Sequence, residues 1–142
     1  MPARRAASPP GSPIQVVAGA LYDEDGRVLI AQRPAGKHLA GRWEFPGGKV
    51  GQGESEPAAL ARELREELGI EVTAARPFMR LTHAYPEGKV ELSLWIVERF
   101  SGTPHSLDGQ ELKWVARGAL AAEDILEADR PFVAALGTLA PP

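Results

Sequence analysis

The chain has no cysteine among its 142 residues. Disulfides, a thiolate nucleophile and a cysteine-based zinc site are therefore excluded. It also lacks any apolar run near the ~18–20 residues that a membrane-spanning helix needs. No block of lysine and arginine stands out, and 16 basic against 19 acidic residues leave a net charge of −3. That balance argues against the basic face on which nucleic-acid polymers are held. Met1 to Pro13 carries Arg4 and Arg5 but no apolar stretch behind them, so no secretory signal is expected. A soluble cytoplasmic protein is the expectation. With 44% hydrophobic and 25% charged residues, the composition is that of an ordinary globular chain. Residues 1–13 are rich in Ala, Pro, Ser and Gly without periodicity and are expected to form a disordered tail. Residues 14–142 are of a length that one domain fills.

The most informative stretch runs from Gly48 to Ile70. Its second half is a helix by pattern, with Leu60, Leu64 and Leu68 at i, i+4 and i+8, strong helix formers between them, Pro57 in the first turn and Gly69 as the stop. Glu63, Glu66 and Glu67 stand at i, i+3 and i+4, so they gather on another side of the same helix. A Glu/Arg-rich helix is commonly just a solvated face, and Arg62–Glu66 is an ordinary i, i+4 pair. Hard oxygen ligands gathered this way also suit Mg²⁺, with Mn²⁺ as a substitute, when substrate phosphates complete the shell. The first half is a glycine-rich loop (Gly47, Gly48, Gly51, Gly53) that ends in Glu54 and lets backbone approach a ligand closely. Together these features read as a metal–phosphate site.

Elsewhere the chain reads as strands, turns and short helices. Ile14–Tyr22 and Arg27–Arg33 form a hairpin about the Asp23–Gly26 turn. Trp43 to Gly48 is a short strand entering the glycine loop, with Phe45 facing either core or pocket. Glu71–Tyr85 is a long strand interrupted near Pro77, and Lys89–Phe100 is its antiparallel partner. His83 is read as structural rather than as a base. A short strand at Leu112–Val115 precedes a helix-like segment at Gly118–Ile125 and a terminal helix at Arg130–Leu139. Asp129 and Pro131 are placed as N-cap and first-turn residues of that last helix.

Gly48, five residues, Glu54, seven residues and then Arg62-Glu63-Leu64-Arg65-Glu66-Glu67-Leu68-Gly69-Ile70 resembles the Nudix box at every defined position. LAGRWEFPGGKV resembles the corresponding segment of the MutT branch, whose members include 8-oxo-dGTP diphosphatases. The resemblance spans about Ile14 to Leu136 and implies an α/β fold, the Nudix α/β/α sandwich with a mixed β-sheet. It implies a hydrolase that splits a nucleoside triphosphate into monophosphate and pyrophosphate. Metal ligands would be Glu63, Glu66, Glu67 and the Gly47 carbonyl. Arg62 would orient the glutamates, and Glu54 would position the loop or a water. Asp108, six positions before Trp114, falls where the branch carries a glutamate, and Glu111 is an alternative. Arg33, Phe45, Gly48, Lys49, Tyr85 and Asp129 are the implied substrate contacts. At Asp129 the antimutator enzymes carry asparagine, whereas relatives acting on CTP and modified pyrimidines carry A-D-x-P. Oxidised guanine and pyrimidine nucleotides therefore both stay open, with ADP-ribose-like substrates or a non-catalytic binding module behind them. The implied partner is a free nucleotide, handled by a monomer without nucleic-acid polymer or membrane.

Overall fold

The structure, a computed structural model, describes residues 13–139. Apart from Pro13, the expected N-terminal tail lies outside the described residues. In chain order the elements are β1 (Ile14–Leu21), β2 (Val28–Gln32), β3 (Trp43–Glu44), β4 (Gly47–Lys49), α1 (Glu56–Leu68) and β5 (Glu71–Tyr85). They continue with β6 (Gly88–Ser101), β7 (Leu112–Val115), 3-10 turns at Arg117–Ala122 and Glu127–Asp129, and α2 (Arg130–Leu136). Among the described residues no helix is long and apolar enough to cross a membrane.

One mixed sheet has the order β4-β1-β6-β5 and a second, smaller one the order β3-β2-β7. The centre of the first is β1, parallel to β6 over Ile14–Leu21 and antiparallel to β4. Alternate residues of β1 feed opposite cores. Val17 and Leu21 pack with Leu60, Leu64 and Leu68 of α1, whereas Ala18 and Ala20 belong to the core that holds Phe132 and Leu136 of α2. Covering both faces explains why β1 reads as a continuous apolar run. Helices thus sit on both sides of the sheet, as the sandwich reading expected. Gly19 allows α1 close approach: a Cβ there would lie 3.2 Å from side-chain atoms of both Leu60 and Leu64.

Several expectations are corrected. The turn at Asp23–Gly26 forms, closed by Gly26 N–H to Asp23 and bridged at Tyr22–Val28. Beyond it β1 and β2 part into different sheets, because each finds a longer partner elsewhere. Trp43–Gly48, expected as one short strand entering the glycine loop, is split in two: Trp43–Glu44 pairs with β2, and Gly47–Lys49 pairs with β1. β5 is not interrupted at Pro77; it continues for 15 residues with a register shift between Pro77 and Met79. As the edge strand it leaves one side of its backbone without a ladder, where a missing N–H is tolerated. The segment at Gly118–Ile125 is only a 3-10 turn, and α2 ends at Leu136. Asp129 occupies the N-cap position of α2 but makes no capping hydrogen bond; its carboxylate is engaged elsewhere.

Candidate active site

The site is built where α1 crosses β4. Ser55 caps α1 by accepting Ala58 N–H at 3.2 Å, and Gly69 closes it in the left-handed conformation at φ 70°. These ends fix the rotation of the helix, so the leucines point to β1 and the acids point to the glycines of β4. Arg62 ties the acids together. Its Nε and Nη2 donate to the two oxygens of Glu54 at 2.8 and 2.9 Å, and its Nη1 donates to Glu63 at 2.9 Å and Glu66 at 3.3 Å. Nη2 also reaches the Lys49 carbonyl at 3.0 Å. Hydrogen bonds from Arg62, with one from Gly51 N–H, hold the Glu54 carboxyl at about 2. Glu54 thereby ties the loop to the helix.

Glu63 and Glu67 flank the Gly47–Gly48 segment. Gly47 N–H donates to Glu67 Oε2 at 3.2 Å, and a Cβ at Gly48 would fall 2.4 Å from the Glu63 carboxylate carbon. Burial, then the neighbouring charge of Glu63, pushes the Glu67 carboxyl up to about 8; Glu44 and Asp108 add to it. Among the described residues no set of three His, Asp or Glu side chains is gathered to hold a metal ion. Each acid instead takes an N–H or guanidinium partner, and Glu66 is the most exposed of the three.

Two clefts meet at this crossing. The larger, about 620 Å³, is lined by apolar residues of β1 and β6 and by Arg33, Phe45, Gly47, Gly48, Lys49, Tyr85 and Asp129. The smaller, about 490 Å³, contains Glu67 and Asp108. Both include Arg33, Lys37 and Glu44. Arg33 Nε donates to Glu44 Oε2 at 3.1 Å, so this ion pair forms the wall between them. Every substrate contact expected from the sequence therefore lines the larger cleft. Asp129 is 5% exposed at its floor, and its Oδ2 accepts the Phe45 N–H at 3.1 Å. Burial raises its carboxyl to about 7, against the lowering by that N–H.

Asp108 reaches its place because its loop is pinned to the C-terminal end of α1. His105 N–H and Leu107 N–H donate to the Leu68 and Glu67 carbonyls, satisfying groups that a helix end leaves open. Glu111 lines neither cleft. His83 packs edge-on against Tyr85 at 4.6 Å. Sequence reasoning missed Glu44. Its signal was a lone charge between Trp43 and Phe45, opposite in register to β2.

The sequence signature of the NUDIX domain matches residues 17–135. The chain belongs to the Nudix hydrolase family. It is 36% identical to the Escherichia coli 8-oxo-dGTP diphosphatase over 89% of this chain and 98% of that protein. It is 40% identical to the E. coli CTP pyrophosphohydrolase, covering 89% and 93% respectively. Among solved structures, a MutT from work on Aliivibrio salmonicida and Vibrio cholerae superposes with a TM-score of 0.78 at 37% identity, covering 89% and 98%. The E. coli ORF135 protein gives 0.78 at 39% identity, covering 90% and 92%. Nudix hydrolases generally need a divalent metal ion, and the donor set here fits one. Burial and three neighbouring acids raise the Glu67 carboxyl, an arrangement that a dication relieves.

Proposed function

We propose that this Nudix hydrolase is a Mg²⁺-dependent nucleoside triphosphate pyrophosphohydrolase whose preferred substrate is 8-oxo-dGTP, released as 8-oxo-dGMP and pyrophosphate. The observation that carries this reading is the pair of clefts divided by Arg33 and Glu44. One is apolar, sized for a nucleoside and floored by a buried acid; the other is acidic. A base and a polyphosphate need such unlike surroundings side by side. The relative named as an 8-oxo-dGTP diphosphatase supports the same choice, whereas the one named as a CTP pyrophosphohydrolase supports the second reading below.

Glu63, Glu66, Glu67 and the Gly47 carbonyl would hold the ion, for which Mn²⁺ is a substitute. When bound it supplies charge for the phosphate oxygens and makes a nearby water more acidic. The protein does the rest. Arg62 keeps Glu63 and Glu66 turned toward β4 through the Glu54 anchor. A water attacks phosphorus in line and gives its proton to Glu63 or Asp108. The phosphorus–oxygen bond breaks, and pyrophosphate leaves. Lys49 lends a positive charge at the phosphate end, Phe45 and Tyr85 bound the base, and Asp129 reads its edge from the floor. The enzyme acts as a single domain from residue 14 onward, as a cytoplasmic monomer on free nucleotides, removing oxidised nucleotides from the pool before polymerisation.

A second reading has a specific residue behind it. Asp129 in Ala128-Asp129-Arg130-Pro131 is the A-D-x-P form, and a carboxylate accepts the cytosine amino group as readily as the N7–H of oxidised guanine. The deciding experiment compares kcat/KM for 8-oxo-dGTP, dGTP, CTP and dCTP with Mg²⁺, detecting pyrophosphate. A lead for 8-oxo-dGTP over dGTP by orders of magnitude supports the first reading. A lead for a cytidine nucleotide replaces it with a pyrimidine pyrophosphohydrolase.

A further inference from the structure

Asp129 offers only half of what a base edge requires. Its Oδ2 is occupied by the Phe45 N–H, and an ionised carboxylate accepts hydrogen bonds without donating any. Base edges are told apart by adjacent donors and acceptors, so two-point recognition at this floor needs a donor from another residue. Tyr85 stands at the end of β5, half-buried, on the wall of the same cleft. Its ring is fixed by neighbours from two elements: His83 of β5 edge-on at 4.6 Å, and His38 of the β2–β3 connection at 6.3 Å. Of the charges acting on the phenol, that of Asp129 is the largest, ahead of Arg33 and Glu44. Tyr85 and Asp129 thus line one and the same cleft. Among the described residues no side-chain hydrogen bond engages this hydroxyl, which leaves its O–H for a ligand.

Building on the nucleotide reading above, we infer that Tyr85 is a specificity-determining residue whose hydroxyl supplies the donor beside the Asp129 acceptor. The pair matches an edge with an N–H next to an acceptor. Oxidised guanine has N7–H beside O6. Guanine itself presents two acceptors there, so its N7 lone pair meets the carboxylate. The same pair matches cytosine, with its amino group beside N3, and mismatches uracil, where the order is reversed.

The test is the effect of Tyr85→Phe on two selectivity ratios, 8-oxo-dGTP over dGTP and CTP over UTP, each as kcat/KM. Assays at pH 8.5 keep Asp129 ionised, since its carboxyl lies at about 7. The substitution keeps the ring and its imidazole neighbours. The ratio that the wild-type enzyme favours should fall about tenfold, the scale of one lost base contact. An unchanged ratio in Tyr85→Phe, or equal losses on both members of the pair, overturns the inference and makes Tyr85 a packing wall. Which ratio the wild type favours separately decides the substrate reading.

Discussion

Gly48→Ala probes the site without touching an acid. Gly48 lies in β4 opposite Val17, and its φ is not positive, so alanine meets no backbone strain. Its Cβ, however, would fall 2.4 Å from the carboxylate carbon of Glu63, and ordinary contact begins near 3.4 Å. The carboxylate must retreat by about 1 Å, and displacements of that size in a catalytic constellation cost about 10²-fold in rate. Stability should hardly change. Alanine gains about 0.5–1 kcal/mol over glycine in a strand, which offsets a partly exposed Glu63–Arg62 pair of similar worth. The assays are steady-state pyrophosphate release and thermal unfolding, on Gly48→Ala, Glu63→Gln and the double variant. If the alanine acts through Glu63, the double variant falls no further than the worse single. A Gly48→Ala enzyme with kcat within about threefold of wild type would refute the placement of Glu63 in the chemistry.

Gly47→Ala should behave oppositely. Its Cβ would land 2.0 Å from the Val17 carbonyl oxygen, a backbone atom that cannot swing away, so the melting temperature should drop sharply. A variant with unchanged melting would contradict the β1–β4 pairing. Glu66→Gln and Glu67→Gln should remain folded yet lose at least about 10²-fold in kcat. They should also lose the rise in melting temperature that Mg²⁺ gives the wild type; equal turnover in either variant rules out that ligand. Asp129 sets a pH dependence. Its carboxyl at about 7 in the folded protein lies above the ordinary 3.8, so the folded state keeps a proton that the unfolded chain releases. That contribution is complete below about pH 4 and is lost as the pH rises through 7, with a ceiling of about 4 kcal/mol. Asp129→Asn should therefore melt higher than wild type at pH 8, and the gain should vanish near pH 4. An equal difference at both pH values refutes the burial argument.

What could be read from the sequence was whatever is set locally. The leucine spacing, Pro57 and Gly69 define α1 within a few turns, and Glu63, Glu66 and Glu67 share a face because helical geometry leaves no alternative. Pairing was less legible. The parallel match of β1 with β6 joins residues more than seventy positions apart, and nothing in either apolar run names its partner. For that reason β1 and β2 read as a hairpin although they continue into different sheets. Asp129 shows the same limit at a single residue. Before Pro131 it has every local mark of a helix cap, yet its carboxylate bonds Phe45, 84 positions away. Asp129 is buried there, like its neighbours Leu126 and Ala128, and its carboxylate takes the Phe45 N–H.

Glu44 joins the two halves of the site. Its charge raises both Glu67 at the acidic end and Asp129 at the nucleoside end, and Arg33 opposes it directly. Burial raises Glu44 as well. Three carboxyls, each shifted toward its neutral form, thus line one continuous path in a protein whose substrate is itself an anion. Such crowding does nothing for folding; apolar residues in these places would cost less. It makes sense as a set of acceptors that become fully charged only when positive groups arrive: a divalent ion near Glu67, and the N–H of a base at Asp129.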